Sequence, residues 1–426
     1  MTVIRQEDFI SSVAGALQYI SYYHPEDYIR ALAQAYEREQ SPAARDAMAQ
    51  ILINSRMCYE GHRPVCQDTG IVNAFVKLGM DVRFEAGPGE ELLDLQQMID
   101  AGVRRAYLDP DNKLRASLQS DPAGKRINTK DNTPAAVFVE VVRGATVEVT
   151  VAAKGGGSEA KSKFVMLNPN DSVVDWVLET VPTMGAGWCP PGILGIGIGG
   201  TAEKAMLLAK QSLMDPIDIQ ELIARGPKTT AEKLRVELYD KVNRLGIGAQ
   251  GLGGLTTVLD VKVVDTPAHA ANLPVAMIPN CAATRHAHIV LDGSGPVFLD
   301  PPSLSDWPKL TYDVSTATPV VWAISPSDSP PSANMMKAPR CSRGRASTAA
   351  ISLCAASRDC TCSRGVGPGS ATVIAASSRP DARTATFCRR KWSQTLWRAM
   401  VNSQAGKLAW PGSKVAALFE TETQVS

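Results

Sequence analysis

Three cysteines lie in loops that glycine or proline marks: Cys66 in RPVCQDTG, Cys189 in GAGWCPPG and Cys281 in IPNCAATRH. A structural cysteine usually lies within an apolar periodic segment, whereas these three interrupt such segments. Iron–sulfur clusters are normally held by four cysteine thiolates, so a set of three leaves one iron open to water or to a substrate oxygen. The chemistry that this set predicts is Lewis-acid catalysis at an open metal site.

Two other interpretations of the cysteines stay open at this point. Any one of them, taken alone, is as readily a buried residue that binds nothing. The second alternative is a zinc site in which the cysteines are joined by His269, His286 or His288. No pair has the short C-x-x-C or H-x-x-x-H spacing that is typical of zinc modules. The loop contexts therefore favour an iron–sulfur cluster.

The residues that follow Cys66 predict an acid–base function. Gln67 and Asp68 are expected at the rim of the open coordination site, where an aspartate within reach of the reacting proton serves as a general acid or base. The alternative is a turn aspartate that accepts a hydrogen bond from its own backbone. The stretch KGGGSEAKSK, residues 154–163, offers successive N–H groups to a carboxylate or phosphate, although glycine runs are also typical of surface turns.

The stretch GIGIGG, residues 195–200, matches the G-x-G-x-x-G pattern of dinucleotide-binding folds. That fingerprint requires a second strand that ends in an acidic residue about twenty positions later. The residues that follow, IDIQELIARGPKTTAEKLRVEL, are typical of helices instead. We therefore expect these glycines to allow a close backbone approach near the Cys189 loop.

Other polar side chains are candidates for binding a substrate or tuning a metal. His269, in DTPAHAANLP, would bind a carboxylate or carry a proton, although a lone histidine is more often structural. Arg104 or Arg105 would clamp a carboxylate, although exposed helix arginines usually face water. Residues that would donate hydrogen bonds to cluster sulfurs follow the third cysteine: Arg285, His286 and His288.

Hydrophobic periodicity predicts the elements that must position these residues. A helical lead-in is expected at residues 9–23 and 28–36, and Ser41 followed by Pro42 is a typical helix start. The segment GIVNAFVKLGMDVRF predicts a strand after the Cys66 loop. Further expectations are helices at 90–107, 172–181, 202–213 and 230–245, a hairpin at 135–142 and 145–153, and a strand at 255–264. The predicted fold class is mixed α/β, with sheets flanked by helices.

Length and composition exclude several classes of protein. The 426 residues are enough for two or three domains with a sizeable core. No run of about eighteen apolar residues predicts a membrane span, and the start MTVIRQEDFI lacks the apolar stretch of a signal peptide. The nine cysteines have no regular spacing that would indicate a disulfide framework. We expect a cytoplasmic protein without a membrane partner.

Charge divides the chain near Tyr312. Residues 1–312 carry a net charge of −7 and residues 313–426 a net charge of +8. A basic arm is typical of nucleic-acid binding, but the arginines of this tail are scattered among Ser, Ala, Pro and Cys without helical period or interleaved aromatics. We therefore expect no nucleic-acid partner and a largely irregular tail.

The three cysteine loops, together with KGGGS, GIGIGGTAEKA, GIGAQGLGG and ATRHAHIVLDGSGP, resemble the iron–sulfur-dependent class I fumarate hydratases. The resemblance runs from near the N-terminus to about residues 312–317. It implies a [4Fe-4S] cluster held by Cys66, Cys189 and Cys281, with the sheets and helices arranged around it. It also implies a hydro-lyase of the tricarboxylic acid cycle, a cytoplasmic homodimer that adds water reversibly to fumarate to give L-malate.

Further roles come from the same resemblance. Asp68 matches a residue that handles a proton, and His269 matches a catalytic histidine in contact with substrate. Arg104 is our match for the clamp on a substrate carboxylate. The remaining substrate-binding residues that the resemblance implies are Gln67, Gly157 and Gln250.

The resemblance stops where single-chain members of the family continue into a C-terminal domain that completes the active site. From about Thr318 the sequence PVVWAISPSDSPPSANMMKAPRCSRGRAS does not resemble that domain. The organisation we predict is a cluster-binding catalytic domain at 1–312 and an aberrant basic tail at 313–426, so that the chain alone lacks a complete site. Two-subunit relatives, including tartrate dehydratases, carry the missing part on a separate chain. The alternatives are therefore a tartrate-type α subunit or a non-enzymatic iron–sulfur sensing protein.

Overall fold

Two four-stranded β-sheets form the framework of the part of the chain that the structure describes. The computed structural model describes residues 1–111, 114–303, 310–313 and 318–321. Helices pack against these sheets, which confirms the predicted mixed α/β class. No helix in those ranges is both long enough and apolar enough to cross a membrane.

The helices are α1 (Gln6–Tyr22), α2 (Glu26–Arg38), α3 (Pro42–Gly61), α4 (Leu95–Leu108), α5 (Gly156–Glu159), α6 (Val173–Thr183), α7 (Ala202–Ser212), α8 (Ile219–Arg225) and α9 (Thr230–Arg244), with a 3-10 turn at Ala249–Gly251. The strands are β1 (Thr2–Arg5), β2 (Ile71–Gly79), β3 (Val82–Glu85), β4 (Gln119–Ser120), β5 (Ile127–Asn128), β6 (Ala136–Val142), β7 (Val147–Lys154), β8 (Lys163–Leu167), β9 (Gly192–Gly200), β10 (Val258–Ala268), β11 (Leu273–Asn280), β12 (His286–Leu291), β13 (Leu310–Asp313) and β14 (Thr318–Val321).

Side-chain caps fix the starts of α3 and α4. The predicted start of α3 is confirmed, because the Ser41 hydroxyl accepts the Ala44 N–H and Pro42 occupies the first turn. Helix α4 begins later than the predicted residue 90. Asp94 accepts the Gln97 N–H while the Gln97 side chain accepts the Asp94 N–H, and this capping box sets the start at Leu95.

The first sheet has the strand order β12-β7-β2-β6, so the predicted hairpin of β6 with β7 is wrong. Strand β2 lies between them, parallel to β6 and antiparallel to β7. The reason lies in its composition: Val72 to Val76 are all buried, which suits a central strand, whereas β6 is largely exposed. In the central position β2 forms backbone hydrogen bonds along both of its edges.

The second sheet has the order β10-β9-β11-β8. Its strand β9 contains the GIGIGG stretch, and α7 packs directly on it. A Cβ on Gly195 would lie 2.1 Å from the Ala209 carbonyl oxygen, and a Cβ on Gly197 would lie 2.0 Å from that of Ala205. The glycines therefore permit the close backbone approach that the sequence predicted, and they do not form a phosphate-binding loop.

The two sheets bring the cysteine loops together. Cys66 precedes β2 and Cys189 precedes β9, while Cys281 lies on the connection that leaves β11 in the second sheet and enters β12 in the first. The strand pairs that place these loop ends side by side are Ile71 with Lys154, His286 with Ala152, and Asn280 with Ile193. The predicted irregular tail at 313–426 lies outside the described residues, apart from Asp313 and β14, and the boundary near Tyr312 stays a prediction.

Candidate active site

Asp68 connects the first cysteine loop to the glycine-rich turn after β7. One carboxylate oxygen, Oδ1, accepts the Gly70 N–H at 2.9 Å, which is the local turn pattern. The other, Oδ2, accepts the Gly156 N–H at 2.7 Å from a segment distant in the sequence. Two backbone donors therefore fix the orientation of this carboxylate.

Arg285 reaches the same loop from the start of β12. Its Nη1 donates to the Asp68 carbonyl oxygen at 2.7 Å, and the residue is only 3% exposed. A Cβ built on Gly155 would lie 3.4 Å from Asp68 Oδ2, 3.8 Å from Arg285 Nη2 and 3.9 Å from Cys281 Sγ. These groups surround one small volume, which we call the Gly155 cradle (Asp68, Gly155, Cys281 and Arg285).

The second cysteine loop is tied to the third by backbone hydrogen bonds. The Cys189 carbonyl oxygen accepts the Ala282 N–H at 2.9 Å. Cys189 itself adopts a left-handed conformation, with φ of 56°. The next carbonyl oxygen, that of Pro190, accepts two hydrogen bonds from Gln250, one from its backbone N–H and one from Nε2, both at 2.7 Å. Gln250 thus positions the loop that carries Cys189.

The thiols of the site interact electrostatically. Burial raises the pKa of Cys66, although the nearby Arg285 charge opposes this. Burial raises the pKa of Cys189 to about 11, and Cys281, Cys66 and Asp68 add to the shift. Both thiols are therefore protonated at neutral pH without a metal, so metal binding must release protons.

The three cysteines are available as ligands for a metal group. Cys66, Cys189 and Cys281 are thiols rather than disulfides. In the part of the chain that the structure describes, no group of three His, Cys, Asp or Glu side chains is arranged to hold one metal ion, so the zinc alternative gains no support. In a cluster each thiolate binds a different iron, which suits thiols that approach from three loops.

Two buried N–H donors of Arg285 also indicate that this site binds another group. Arg285 Nε and Nη2 have no hydrogen-bond partner among the described residues. Buried N–H groups are nearly always bonded, and charged ones all the more so, so these two indicate an anionic acceptor at the site. Sulfur atoms of a cluster or a carboxylate would both meet that need.

Two further predicted residues lie in the same loops. The Cys66 thiol donates to Gln67 Oε1 at 3.3 Å, and Arg115 donates to the Gln67 carbonyl oxygen at 3.2 Å. Gly157 follows Gly156 in α5, where a Cβ would approach the Gly187 carbonyl oxygen to 3.1 Å. Both lie close in sequence to the cradle.

His269 lies elsewhere. Strand β10 runs parallel to β9, and Val258 pairs with Gly192 near the Cys189 loop, whereas Ala268 pairs with Gly200 at the other end. The exposed His269 follows that distant end, where its Nδ1 accepts the Ala271 N–H at 3.1 Å. Within one chain the structure does not bring it to the cysteine loops, and its assigned role stays a prediction.

The two arginines of α4 differ. Arg105 forms a bidentate ion pair with Glu7, with N–O distances of 2.5 and 2.9 Å, and is committed to α1. Arg104 is exposed, one helical turn before Tyr107, whose hydroxyl donates to the Thr69 carbonyl oxygen at 2.9 Å beside the first cysteine loop. Arg105 is thus paired with Glu7, and the role of Arg104 as a carboxylate clamp stays a prediction.

Two buried titratable residues were not singled out from the sequence. Lys154 ends β7; its Nζ donates to Ser158 Oγ at 2.5 Å and lies 3.7 Å from Glu159, and burial lowers its pKa to about 8. His24 bonds Ser55 at 2.7 Å and the Ala282 carbonyl oxygen at 3.1 Å, next to Cys281. The sequence carries a signal for Lys154, which is a lysine at the end of an apolar strand just before three glycines. It carries no comparable signal for His24.

Comparison with known proteins places the site in context. Residues 10–290 match the family model described as fumarate hydratase (Fumerase), a range that includes all three cysteines. A Methanocaldococcus jannaschii protein, provisionally named L(+)-tartrate dehydratase subunit alpha, is 34% identical over 270 residues, which are 62% of this chain and 91% of that protein. The L(+)-tartrate dehydratase subunit alpha of Escherichia coli O157:H7 is 29% identical over 282 residues, 66% of this chain and 89% of its own length. That of Escherichia coli strain UTI89 is 30% identical over 276 residues, with coverage of 64% and 87%.

Proposed function

The chain belongs to the class I fumarate hydratase family and is a hydro-lyase of the fumarate hydratase and tartrate dehydratase alpha type, and on this premise we propose that it adds water reversibly to fumarate to give L-malate. The family resemblance found in the sequence is confirmed. The observation that supports the proposal most strongly is the convergence of three thiols with Asp68 and Arg285 inside the matched range. The substrate itself is our proposal.

We assign a [4Fe-4S] cluster to Cys66, Cys189 and Cys281. When bound by three thiolates, such a cluster supplies an iron without a protein ligand, a Lewis acid for a substrate oxygen. The proton released from each thiol on binding leaves the anionic sulfur that iron requires. The two unpartnered Arg285 donors supply positive charge beside these sulfurs.

Asp68 is the residue to which we assign proton transfer. In dehydration it donates a proton to the departing hydroxyl oxygen, while the proton lost from the neighbouring carbon passes to a base on the C-terminal domain or second polypeptide that completes the site; in hydration both transfers run in reverse. Its orientation is set by the Gly70 and Gly156 N–H groups before any substrate enters. A fixed carboxylate avoids the reorganisation that a mobile one would need.

We assign binding of the substrate carboxylates to the remaining predicted site residues. We propose that Gln67, Gly157 and Gln250 line the substrate position, since each lies in a loop of the cysteine site, and that Arg104 clamps a carboxylate. His269 lies at the distant end of β10, so a role at this site requires a second copy of the chain. A homodimer is therefore part of the proposal.

Tartrate dehydration is the second candidate function. It is favoured because the relatives are named as L(+)-tartrate dehydratase alpha subunits and this chain covers 87% to 91% of their length. An alpha subunit works with a second polypeptide, which agrees with residues 313–426 not resembling the family's C-terminal domain. In that case residues 1–312 are the cluster-binding part of a two-chain enzyme.

The test is anaerobic reconstitution of the full chain with iron and sulfide, followed by assays with fumarate and with L(+)-tartrate. Fumarate hydration is followed by loss of fumarate absorbance, and Cys189→Ser is the control. We expect cluster-dependent turnover of fumarate after addition of the second subunit of an E. coli L(+)-tartrate dehydratase, and none from the chain alone, because the chain lacks a complete site. Turnover of tartrate only would favour the second candidate. A cluster without turnover of either substrate in both settings would contradict the enzyme proposal and favour a sensing protein.

A further inference from the structure

Arg285 differs from the other ionic side chains of the site because only one of its nitrogens is used. Nη1 donates to the Asp68 carbonyl oxygen at 2.7 Å. Nε and Nη2 are buried and find no acceptor in the described part of the chain. A guanidinium that is 3% exposed cannot turn to bulk water to satisfy them.

The position of these donors limits which group can accept their hydrogen bonds. Nη2 lines the Gly155 cradle together with Cys281 Sγ: both atoms are within 3.9 Å of the point where a Gly155 Cβ would stand. Gly155 has φ of −64° and ψ of 140°, a conformation open to any residue, so glycine is not required there by the backbone. A guanidinium and a cysteine sulfur therefore border the same small volume.

We propose that Arg285 is a positioning residue that donates Nε–H and Nη2–H to anionic sulfur on or bound to Cys281, while Nη1 holds the backbone of Asp68. This inference rests on the proposed function, because it takes the sulfur to belong to the cluster ligand set. One side chain thereby connects the third cysteine to the residue that moves the proton. A substrate carboxylate is the competing acceptor, and the position below the surface argues against it.

The physical consequence concerns electron density on sulfur. Hydrogen bonds to cluster sulfurs are among the factors that set the reduction potential, because they stabilise the more negative, reduced state. Loss of such outer contacts commonly weakens metal binding about tenfold to a hundredfold. Both effects are measurable without turnover.

The test uses the full-length chain, reconstituted anaerobically, as wild type, Arg285→Lys and Arg285→Met. We expect the cluster potential to shift to more negative values in both variants, and iron loss to a chelator to be about tenfold to a hundredfold faster, with Arg285→Met affected more. Arg235→Met is the matched control, since Arg235 is also largely buried but bonds Asp218, Asp260 and the Val261 carbonyl oxygen. We expect Arg235→Met to lower the thermal stability and to leave the cluster potential and the rate of iron loss unchanged.

Gly155→Ala tests the same contact without touching Arg285, and serves if Arg285→Met does not fold. The added methyl group is in ordinary contact with Nη2 and Cys281 Sγ, so it excludes an atom that would bridge them. Gly156→Ala is its control, because that Cβ meets only Asp68 Oδ2, at 3.6 Å. We expect the potential to shift with alanine at 155 and not at 156.

The outcomes separate the two claims. If wild type assembles no cluster, the proposed function and this inference both fail. If all variants assemble clusters with the same potential and iron retention as wild type, the proposed function stands and the sulfur contact is refuted. If potentials are unchanged but KM for the dicarboxylate rises in the Arg285 variants, Arg285 binds substrate, which also overturns the inference.

Discussion

Two regions that contain buried charged side chains can be compared: the Gly155 cradle, and the set Asp218, Arg235, Asp260 and Lys262, which we call the β10 network. In the β10 network, opposite charges form ion pairs. Lys262 Nζ lies 2.7 Å from Asp218 and 2.8 Å from Asp260, and Arg235 Nη2 lies 2.5 Å from Asp218 and 3.2 Å from Asp260. In the cradle, by contrast, two Arg285 donors face no acceptor among the described residues.

This difference separates a structural cluster from a binding site. A cavity of about 260 Å³ adjoins the β10 network, but Asp218, Arg235 and Lys262, which line it, already bond within the network, so these three offer a ligand little. A buried ionic network that is complete positions elements, here α9 against β10. An incomplete network leaves buried donors without acceptors, and a ligand that accepts their hydrogen bonds removes that cost.

The largest effect is expected at the cradle itself. Asp68→Asn keeps one of the two backbone hydrogen bonds, at its amide oxygen, but its amide nitrogen cannot accept the other N–H and the side chain cannot ionise, so kcat should fall about a hundredfold to ten-thousandfold. Rates and cluster content are measured on the same reconstituted samples. Asp265→Asn, at an exposed position of β10, is the control and should retain full activity. A variant with normal kcat would remove Asp68 from the proton path.

The β10 network should respond in stability and not in chemistry. Lys262→Met leaves Asp260, which is fully buried, with one counter-charge fewer, and we expect the free energy of unfolding to drop by about 3 to 5 kcal/mol. Denaturant titration measures this. The matched variant Lys241→Met breaks an exposed pair with Glu237 and should change stability by about 0.5 kcal/mol or less. Impaired cluster assembly in Lys262→Met, beyond its loss of stability, would break the distinction between the regions.

A smaller effect concerns His24, which supports the third cysteine loop. Burial lowers its pKa to about 4, with the Arg285 charge contributing in the same direction against the Ala282 hydrogen bond. The unfolded chain therefore binds a proton near pH 6.5 that the folded chain refuses until about pH 4, so stability falls as pH drops through this window, by roughly 3 kcal/mol. Chemical denaturation between pH 7 and pH 4 measures this loss. His24→Gln should remove this part of the pH dependence; an unchanged profile would contradict the assignment.

Local signals in the sequence predicted much of the fold. The apolar period gave α7 and α9, and the Ser41–Pro42 pair gave the start of α3. The β6–β7 hairpin failed because adjacency in sequence was taken for adjacency in space, although the continuous apolar run of β2 favoured a central strand. Helix α4 starts later than the predicted residue 90 because the capping box of Asp94 and Gln97 sets its start at Leu95.

The candidate site divides in the same way. Residue type and loop context were enough to single out Cys66, Cys189, Cys281 and Asp68. The Cys189–Ala282 backbone bond and the empty donors of Arg285 depend on how two sheets meet, which no spacing along the chain encodes. His269 lies close to Cys281 in sequence, yet within one chain the fold places it away from the cysteine loops.

The most direct test of the central claim is the iron and acid-labile sulfide content of the anaerobically reconstituted full-length chain, with Cys66→Ser, Cys189→Ser and Cys281→Ser prepared in parallel. The account predicts about four irons and four sulfides per wild-type chain, an electron paramagnetic resonance signal that changes when L-malate or another hydroxy-dicarboxylate is added, and loss of the cluster in each variant. A chain that binds no iron, or one zinc ion, or that keeps its cluster when any of the three cysteines is replaced, would contradict it.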